Sequence, residues 1–343
     1  MLADGSSAVV AGGRMQQRVR IRRGASGRSA ASRRGSGRQS VATGVNALLI
    51  GAVLGGTLFQ LFAMPALLRA FGMRAAWFLV PIMLLQPLHW GLIHEAIHSH
   101  LLPRRNAEVF WARLLSVTHW LPFDATRFCH LVHHRYSRHA YDRADQYDGH
   151  GPYALAWLRY RTRLLGGAYL GVLVSPLIAF LPLARGIRLM SNAVPIAEKG
   201  DMEVRRLFVS LVTDARKRRR TRREFAMTLA LYAASAWAYG AWWPMLVATM
   251  YMRGVWHSLA DNIAHHDVTL DEPERARNYR LPRLLGFLLM NHHLHLTHHR
   301  HPTAPWRRLA RLSTTEEAAH SDNYFRAAFR QFGRPYPRIV SQG

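Results

Sequence analysis

The sequence predicts an all-α membrane protein: four transmembrane helices in two hairpins, a re-entrant or interfacial apolar segment, and a cytoplasmic helical cap that holds a metal site. Three observations predict it. Apolar residues make up 49% of the chain and charged residues only 19%, yet the formal net charge is +26, a combination that suits apolar spans flanked by basic loops. The long apolar stretches come in two closely spaced pairs. The 20 histidines gather beside the ends of those stretches.

Residues 1–43 are rich in Ser, Gly and Arg, show little apolar periodicity, and form a basic region too long for a secretory signal peptide. They are expected to be a disordered basic N-terminal arm. The stretch 45–68, interrupted only by Asn46, Thr57, Gln60 and Pro65, meets the about 20 helical residues that a hydrocarbon core requires. After Arg69 and Arg74 a second apolar run, 75–93, closes a hairpin and leads straight into a His-rich sequence. The runs 225–241 and 243–259 read as a second hairpin, because Tyr239, Trp242, Trp243 and Pro244 between them suit an interfacial turn.

The segment 164–184 is apolar enough to span but contains Gly166, Gly167, Gly171, Pro176 and Pro182. Were it to cross, the basic run at 216–223 would face outward, against the positive-inside tendency. It is therefore expected to re-enter or lie at the interface, which leaves the arm, the basic run and every histidine cluster on the cytoplasmic face. Residues 44–312 then form one membrane domain and 313–343 a C-terminal cytoplasmic tail.

The charge balance excludes less than it first appears to. Arg-rich stretches beside long apolar segments act as topology signals and contacts to anionic lipid, so a nucleic-acid partner is not expected. Cys129 is the sole cysteine, which rules out an intramolecular disulfide and any Cys-based zinc or iron–sulfur site.

No histidine falls in 1–88 or 151–256, and all but His320 lie in the windows 89–150 and 257–301. Within those windows the spacings repeat: His94 and His98 in HEAIH, His130, His133 and His134 in HLVHH, and His295, His298 and His299 in HLTHH. Residues at i, i+3 and i+4 share a helix face, so each HxxHH is expected to present three imidazoles toward one point. One HxxHH arises by chance in about 7% of chains of this length and composition, two far more rarely, so the pair is taken as a site. Imidazole suits iron, copper, nickel and zinc, and eight convergent imidazoles exceed the four to six ligands of one ion. The count favours two ions.

The order HxxxH, HxxHH, NxxxH and HxxHH followed by Pro resembles the membrane fatty acid desaturase superfamily over about 45–312. It is carried by HEAIH at 94–98, HLVHHRY at 130–136, NIAHH at 262–266 and NHHLHLTHHRHPTAPW at 291–306. The resemblance implies two non-haem iron ions held by His94, His98, His130, His133, His134, His266, His295, His298 and His299, with Asn262 linked through a water. His265 competes with His266 for its place. Dioxygen would be the co-substrate and a lipid or acyl chain the substrate, the outcome being a double bond. Hydroxylation or ketolation of a carotenoid or other lipid is the alternative within the superfamily. A non-catalytic membrane metal-binding or transport protein is the alternative outside it, disfavoured because transporters place ligands near the bilayer midplane.

The other histidines have plainer readings. His100, His292, His293 and His301 adjoin the boxes without fitting the spacing, His89 and His257 read as helix-packing residues, and His119, His139, His150 and His320 as structural ones. Glu95, Asp124, Asp142, Asp261 and Asp267 are candidates to orient ligand imidazoles, which usually donate their second N–H to a carboxylate or carbonyl. Electrons must come from elsewhere, because the chain has no HPGG haem motif and no GxGxxG after a strand. A separate donor such as a ferredoxin is implied, and the arginines at 218–220 are candidates to steer it.

Overall fold

The computed structural model describes residues 31–337 except 144, 148, 150, 198, 269–271, 320 and 334–335, with side chains from residue 43 onward except those of 140, 273, 318, 319, 336 and 337. His150 and His320 lie outside the described residues. The chain divides into residues 1–40 and 41–343, and every contact described below lies within the second unit. It is mostly helical. Helix α1 (Ala31–Leu58) begins within the stretch expected to be an arm, and residues 1–30 are outside the described residues.

Past Leu58 the helix widens into a π turn, Phe59–Ala63, before α2 (Met64–Phe71). Such a turn leaves carbonyls without an ordinary intrahelical partner. Here they are taken by a second long helix: Tyr239 Oη donates to Gln60 O at 2.7 Å and Ser235 Oγ to Leu61 O at 2.9 Å. A 3₁₀ stretch (Gly72–Phe78) then leads into α3 (Leu79–Leu84) and α4 (Gln86–Ile97). Two helical stretches among the described residues are long and apolar enough to cross a membrane by length and composition, Thr43–Ile97 and Tyr153–Phe180.

The second stretch contains much of the segment expected to re-enter or lie flat. It comprises α7 (Tyr153–Thr162), a π turn (Arg163–Gly167), α8 (Ala168–Val174) and a 3₁₀ turn (Ser175–Phe180). It is broken at Leu165 and at Gly166, whose φ of 103° only glycine adopts freely. Helices α9 (Leu183–Ala193) and α10 (Asp201–Thr213) follow. The expected second hairpin is α11 (Ala215–Tyr239) and α12 (Trp243–Ile263), joined by the turn Gly240–Trp242. Asp214 caps α11, its Oδ1 accepting from the N–H groups of Arg216 and Lys217. The basic run that opens α11 is engaged: Arg218 and Arg222 donate to Ala179 O, and Arg220 pairs with Asp124 at 2.8 Å.

Helix α5 (Arg105–His119) is among the elements for which the sequence carried no expectation. Its C-terminal turn is buried in the bundle and stops where Trp120 takes a left-handed conformation, φ 60°. Four of its last carbonyls accept from side chains of other segments: Leu115 O from His89, Val117 O from Thr228, Thr118 O from Tyr232 and His119 O from Tyr169. At Thr118 O and His119 O these side chains supply the donors that an ending helix lacks.

Six further helices complete the described structure. They are α6 (Phe123–Tyr136), α13 (Arg283–Leu288), α14 (His295–Arg300), α15 (Trp306–Leu312), α16 (Thr315–Ala319) and α17 (Tyr324–Arg330). Two-residue parallel pairs tie distant parts together: β1 (Gln146–Tyr147) with β4 (Tyr336–Pro337), and β2 (Tyr279–Arg280) with β3 (Asp322–Asn323). The main core packs Ile50, Val53, Leu92, Ile93, Ile97 and Leu115 among others beneath the histidines.

Candidate metal centre

Each histidine box sits at the end of a helix. His94 and His98 occupy the last turn of α4, which stops where Ser99 turns left-handed, φ 65°. His130, His133 and His134 ride on α6, which ends before Arg138, also left-handed. His265 and His266 lie in the turn just past α12. His295, His298 and His299 fill the short helix α14.

The imidazoles form two groups. His94, His98, His130, His134 and His298 make the first, and His133, His265, His295 and His299 the second, with the candidate ligand atoms of each group all within 4.8 Å of one another. In the first, the Nε2 atoms of His98 and His130 are 3.0 Å apart, those of His130 and His134 3.0 Å, and those of His134 and His298 2.9 Å. In the second, His133 and His265 approach to 3.0 Å and His295 and His299 to 3.2 Å.

Hydrogen bonding accounts poorly for these contacts. A ring nitrogen carries either one proton or one lone pair in its plane, yet His130 Nε2 and His134 Nε2 each face two others. Nitrogens bound at about 2.1 Å to one cation and at right angles lie about 3.0 Å apart, against about 3.4 Å at tetrahedral angles. The observed separations match the right-angled case. The donor set fits a pair of metal ions of the kind imidazole favours.

Each HxxHH box divides between the groups, where the spacing argument had all three imidazoles meeting at one point. In the second box the i and i+4 members, His130 and His134, join the first group and His133 the second; in the last box His295 and His299 join the second group and His298 the first. Helical geometry gives the reason. At about 100° per residue the i+4 side chain returns to within 40° of i, while i+3 and i+4 point 100° apart.

Eight of the nine histidines implied by the resemblance fall in the groups; the structure puts His265 where His266 was expected. The residues around them account for the exchange. His265 Nδ1 lies 2.8 Å from Arg275 O, which turns its Nε2 toward His133. His266 Nδ1 instead meets Tyr160 Oη at 3.1 Å and Asp145 Oδ2 at 3.9 Å. Asn262 Nδ2 donates to Gln331 Oε1 at 2.9 Å and to Tyr160 Oη at 3.3 Å.

Of the acidic candidates, Asp142 touches a box histidine, its Oδ2 lying 2.6 Å from His133 Nδ1. Asp124 pairs with Arg113 and Arg220, Asp267 lies near Arg277, and Asp261 near Arg163. Glu95 Oε1 accepts from Trp306 N. His292 stands closer than expected, its ring 4.9 Å from that of His94 and 4.6 Å from that of His295.

The electrostatics favour unprotonated imidazoles. Burial, and behind it nearby histidines and arginines, lower His98 to about 4, His134 to about 2 and His265 to about 3, and hold His130, His295, His298 and His299 well below the ordinary value. His133 is the exception: burial opposes its charge, but the Asp142 carboxylate outweighs burial and raises it.

The fatty acid desaturase family model matches residues 70–329. The chain belongs to the fatty acid desaturase family. The match takes in every box histidine and runs past the expected domain limit at 312. No curated protein and no solved structure matches the chain. Members are generally membrane-bound oxidoreductases, and the two histidine groups are compatible with this family's histidine boxes and a di-iron site.

Several supports of this desaturase-family site carried no signal in the sequence. Glu317, 6% exposed, accepts from Thr297 Oγ1 at 2.7 Å, Asn278 Nδ2 at 3.3 Å and Arg300 at 2.6 Å, and so holds α14 from the far side. Arg138 is fully buried and pairs with Asp145, tying the turn after α6 to Val268 O beyond the third box.

Proposed function

We propose that the chain is a membrane di-iron, dioxygen-dependent desaturase that introduces a double bond into a fatty acyl chain of a lipid or thioester. The observation that carries this reading is the meeting of nine imidazoles from four separate segments in two adjoining groups. Four spans, 45–68, 75–93, 225–241 and 243–259, carry a cytoplasmic cap that includes the boxes. When bound, a pair of irons supplies the oxidising power that removing hydrogen from an unactivated methylene demands, which acid–base side chains lack.

The protein's part is holding and shielding. The box histidines other than His133 are unprotonated and ready to bind metal near neutral pH. Arg275 O and Asp142 orient His265 and His133. Ile93, Ile97 and Leu92 make a dry floor under the first box, which keeps water from a reactive centre. Removing two hydrogens while reducing dioxygen to two waters takes two electrons and two protons from outside the substrate, so a separate electron-transfer protein such as a ferredoxin is a partner.

The test is product analysis in a host lacking its own desaturase, with His133→Ala as control. New unsaturated acyl chains, absent with His133→Ala, are the expected result. Oxygenated carotenoids without them would make the enzyme a hydroxylase or ketolase. Retained metal with no dioxygen consumption under any reductant and acyl substrate would overturn the enzymatic reading.

A further inference from the structure

The two histidine groups are backed differently. In the second, His133 Nδ1 lies 2.6 Å from a carboxylate oxygen of Asp142, and His265 Nδ1 lies 2.8 Å from the Arg275 carbonyl. In the first, among the described residues, no carboxylate lies within hydrogen-bonding distance of His94, His98, His130, His134 or His298. An imidazole that donates its far N–H to a carboxylate is fixed in one tautomer, with its other nitrogen free to bind metal and made a stronger donor. Neutral imidazoles without such backing are weaker donors.

We infer that the two metal positions are unequal, and that Asp142 is the positioning residue that sets the second one by acting through His133. Asp142 is itself placed by the turn Ala140–Asp142 and accepts from Arg138 N at 3.4 Å. Arg138 in turn grips Asp145 and Val268 O. One short loop thus fixes the carboxylate behind His133 and leans on the turn that presents His265. The inference rests on the two-ion reading proposed above and adds an order to it: the carboxylate-backed position binds its ion more tightly for each ligand it has and favours its more oxidised state.

The experiment counts ions rather than products. Purified wild type, Asp142→Asn and Asp124→Asn are loaded anaerobically with ferrous iron, challenged with graded chelator, and assayed for iron per chain by elemental analysis. The Asn side chain keeps an acceptor for His133 and for Arg138 N but loses the charge, so the loop is preserved. Asp142→Asn is expected to weaken one ion by about 10–100-fold and leave the other unchanged, passing through one ion per chain where wild type still holds two. Asp124→Asn breaks ion pairs made by the helix that carries His133, without touching an imidazole, and is expected to behave as wild type.

Wild-type retention of both ions by Asp142→Asn, or parallel loss of both, overturns the inference. So does equal weakening by Asp124→Asn, which would make the effect one of general stability. A wild-type chain that takes up no pair of ions overturns the proposed function, and this inference falls with it.

Discussion

Removing the Glu317 side chain tests whether the centre depends on a residue outside every histidine box. The carboxylate is 3% exposed and gathers four donors: Thr297 Oγ1, Asn278 Nδ2, Thr314 N and Arg300 Nη1. Glu317→Ala strands some of them in the interior. The loss is partial, because Asn278 Nδ2 still donates to Thr297 Oγ1 at 2.8 Å and Arg300, 34% exposed, returns to water. Bonds to a buried charge contribute about 1.5–3 kcal/mol each before such compensation, so a net destabilisation of about 3 kcal/mol is expected. Glu317→Gln, which keeps acceptor capacity, is expected to cost about 1 kcal/mol. Because Thr297 lies between His295 and His298, the same substitution should also loosen metal at both groups. Thermal melts in detergent and iron per chain by elemental analysis are the measurements. An Ala variant within about 0.5 kcal/mol of wild type with undiminished iron would refute the view that this residue braces α14.

Three further outcomes follow from the geometry. His265→Ala should lose the second ion, whereas His266→Ala should keep both and show only a lower melting temperature; iron content separates the two. In metal-free protein the lowered values of His98, about 4, and His265, about 3, mean that the unfolded chain takes up protons first. Their contribution to stability is complete above about pH 6.5 and is lost as pH falls toward those values, on the order of 3 kcal/mol for His98 alone; urea titrations of the metal-free form across pH 4–7 check it. Gly91→Ala puts a methyl 2.5 Å from Met290 Sδ and 3.0 Å from Met290 Cβ, so rotating the Met side chain gives incomplete relief. Overpacking of about 1–3 kcal/mol less about 1 kcal/mol of helix propensity leaves a modest net loss, readable by thermal melt.

The boxes were legible because metal chemistry demands a rare residue at fixed spacing, and HEAIH, HLVHH and HLTHH satisfied that demand without any knowledge of the fold. The choice between His265 and His266 was not legible. It turns on Arg275 O, Asp145 and Tyr160, which approach from sequence distances that spacing does not report. The split of each HxxHH was derivable from helical angles, but the shared-face rule treats i+3 and i+4 as equivalent and so hides it. Helix α5 escaped because its stretch mixes Arg105, Glu108 and Arg113 with Phe110, Trp111 and Leu115, too polar to be taken for a span and too apolar for a loop. Glu317 and Gln331 lay in what read as a tail, since one carboxylate and one amide leave no pattern.

The buried end of α5 limits how this protein can move. Its terminal carbonyls are satisfied by Tyr169, Thr228, Tyr232 and His89, contributed by three different parts of the bundle. With the bundle in a bilayer, prying α5 away would leave Thr118 O and His119 O facing hydrocarbon, at several kcal/mol apiece. The end of α5 is thus held from three sides. Any motion of the bundle that keeps these bonds must therefore carry α4, α8 and α11 along with the end of α5.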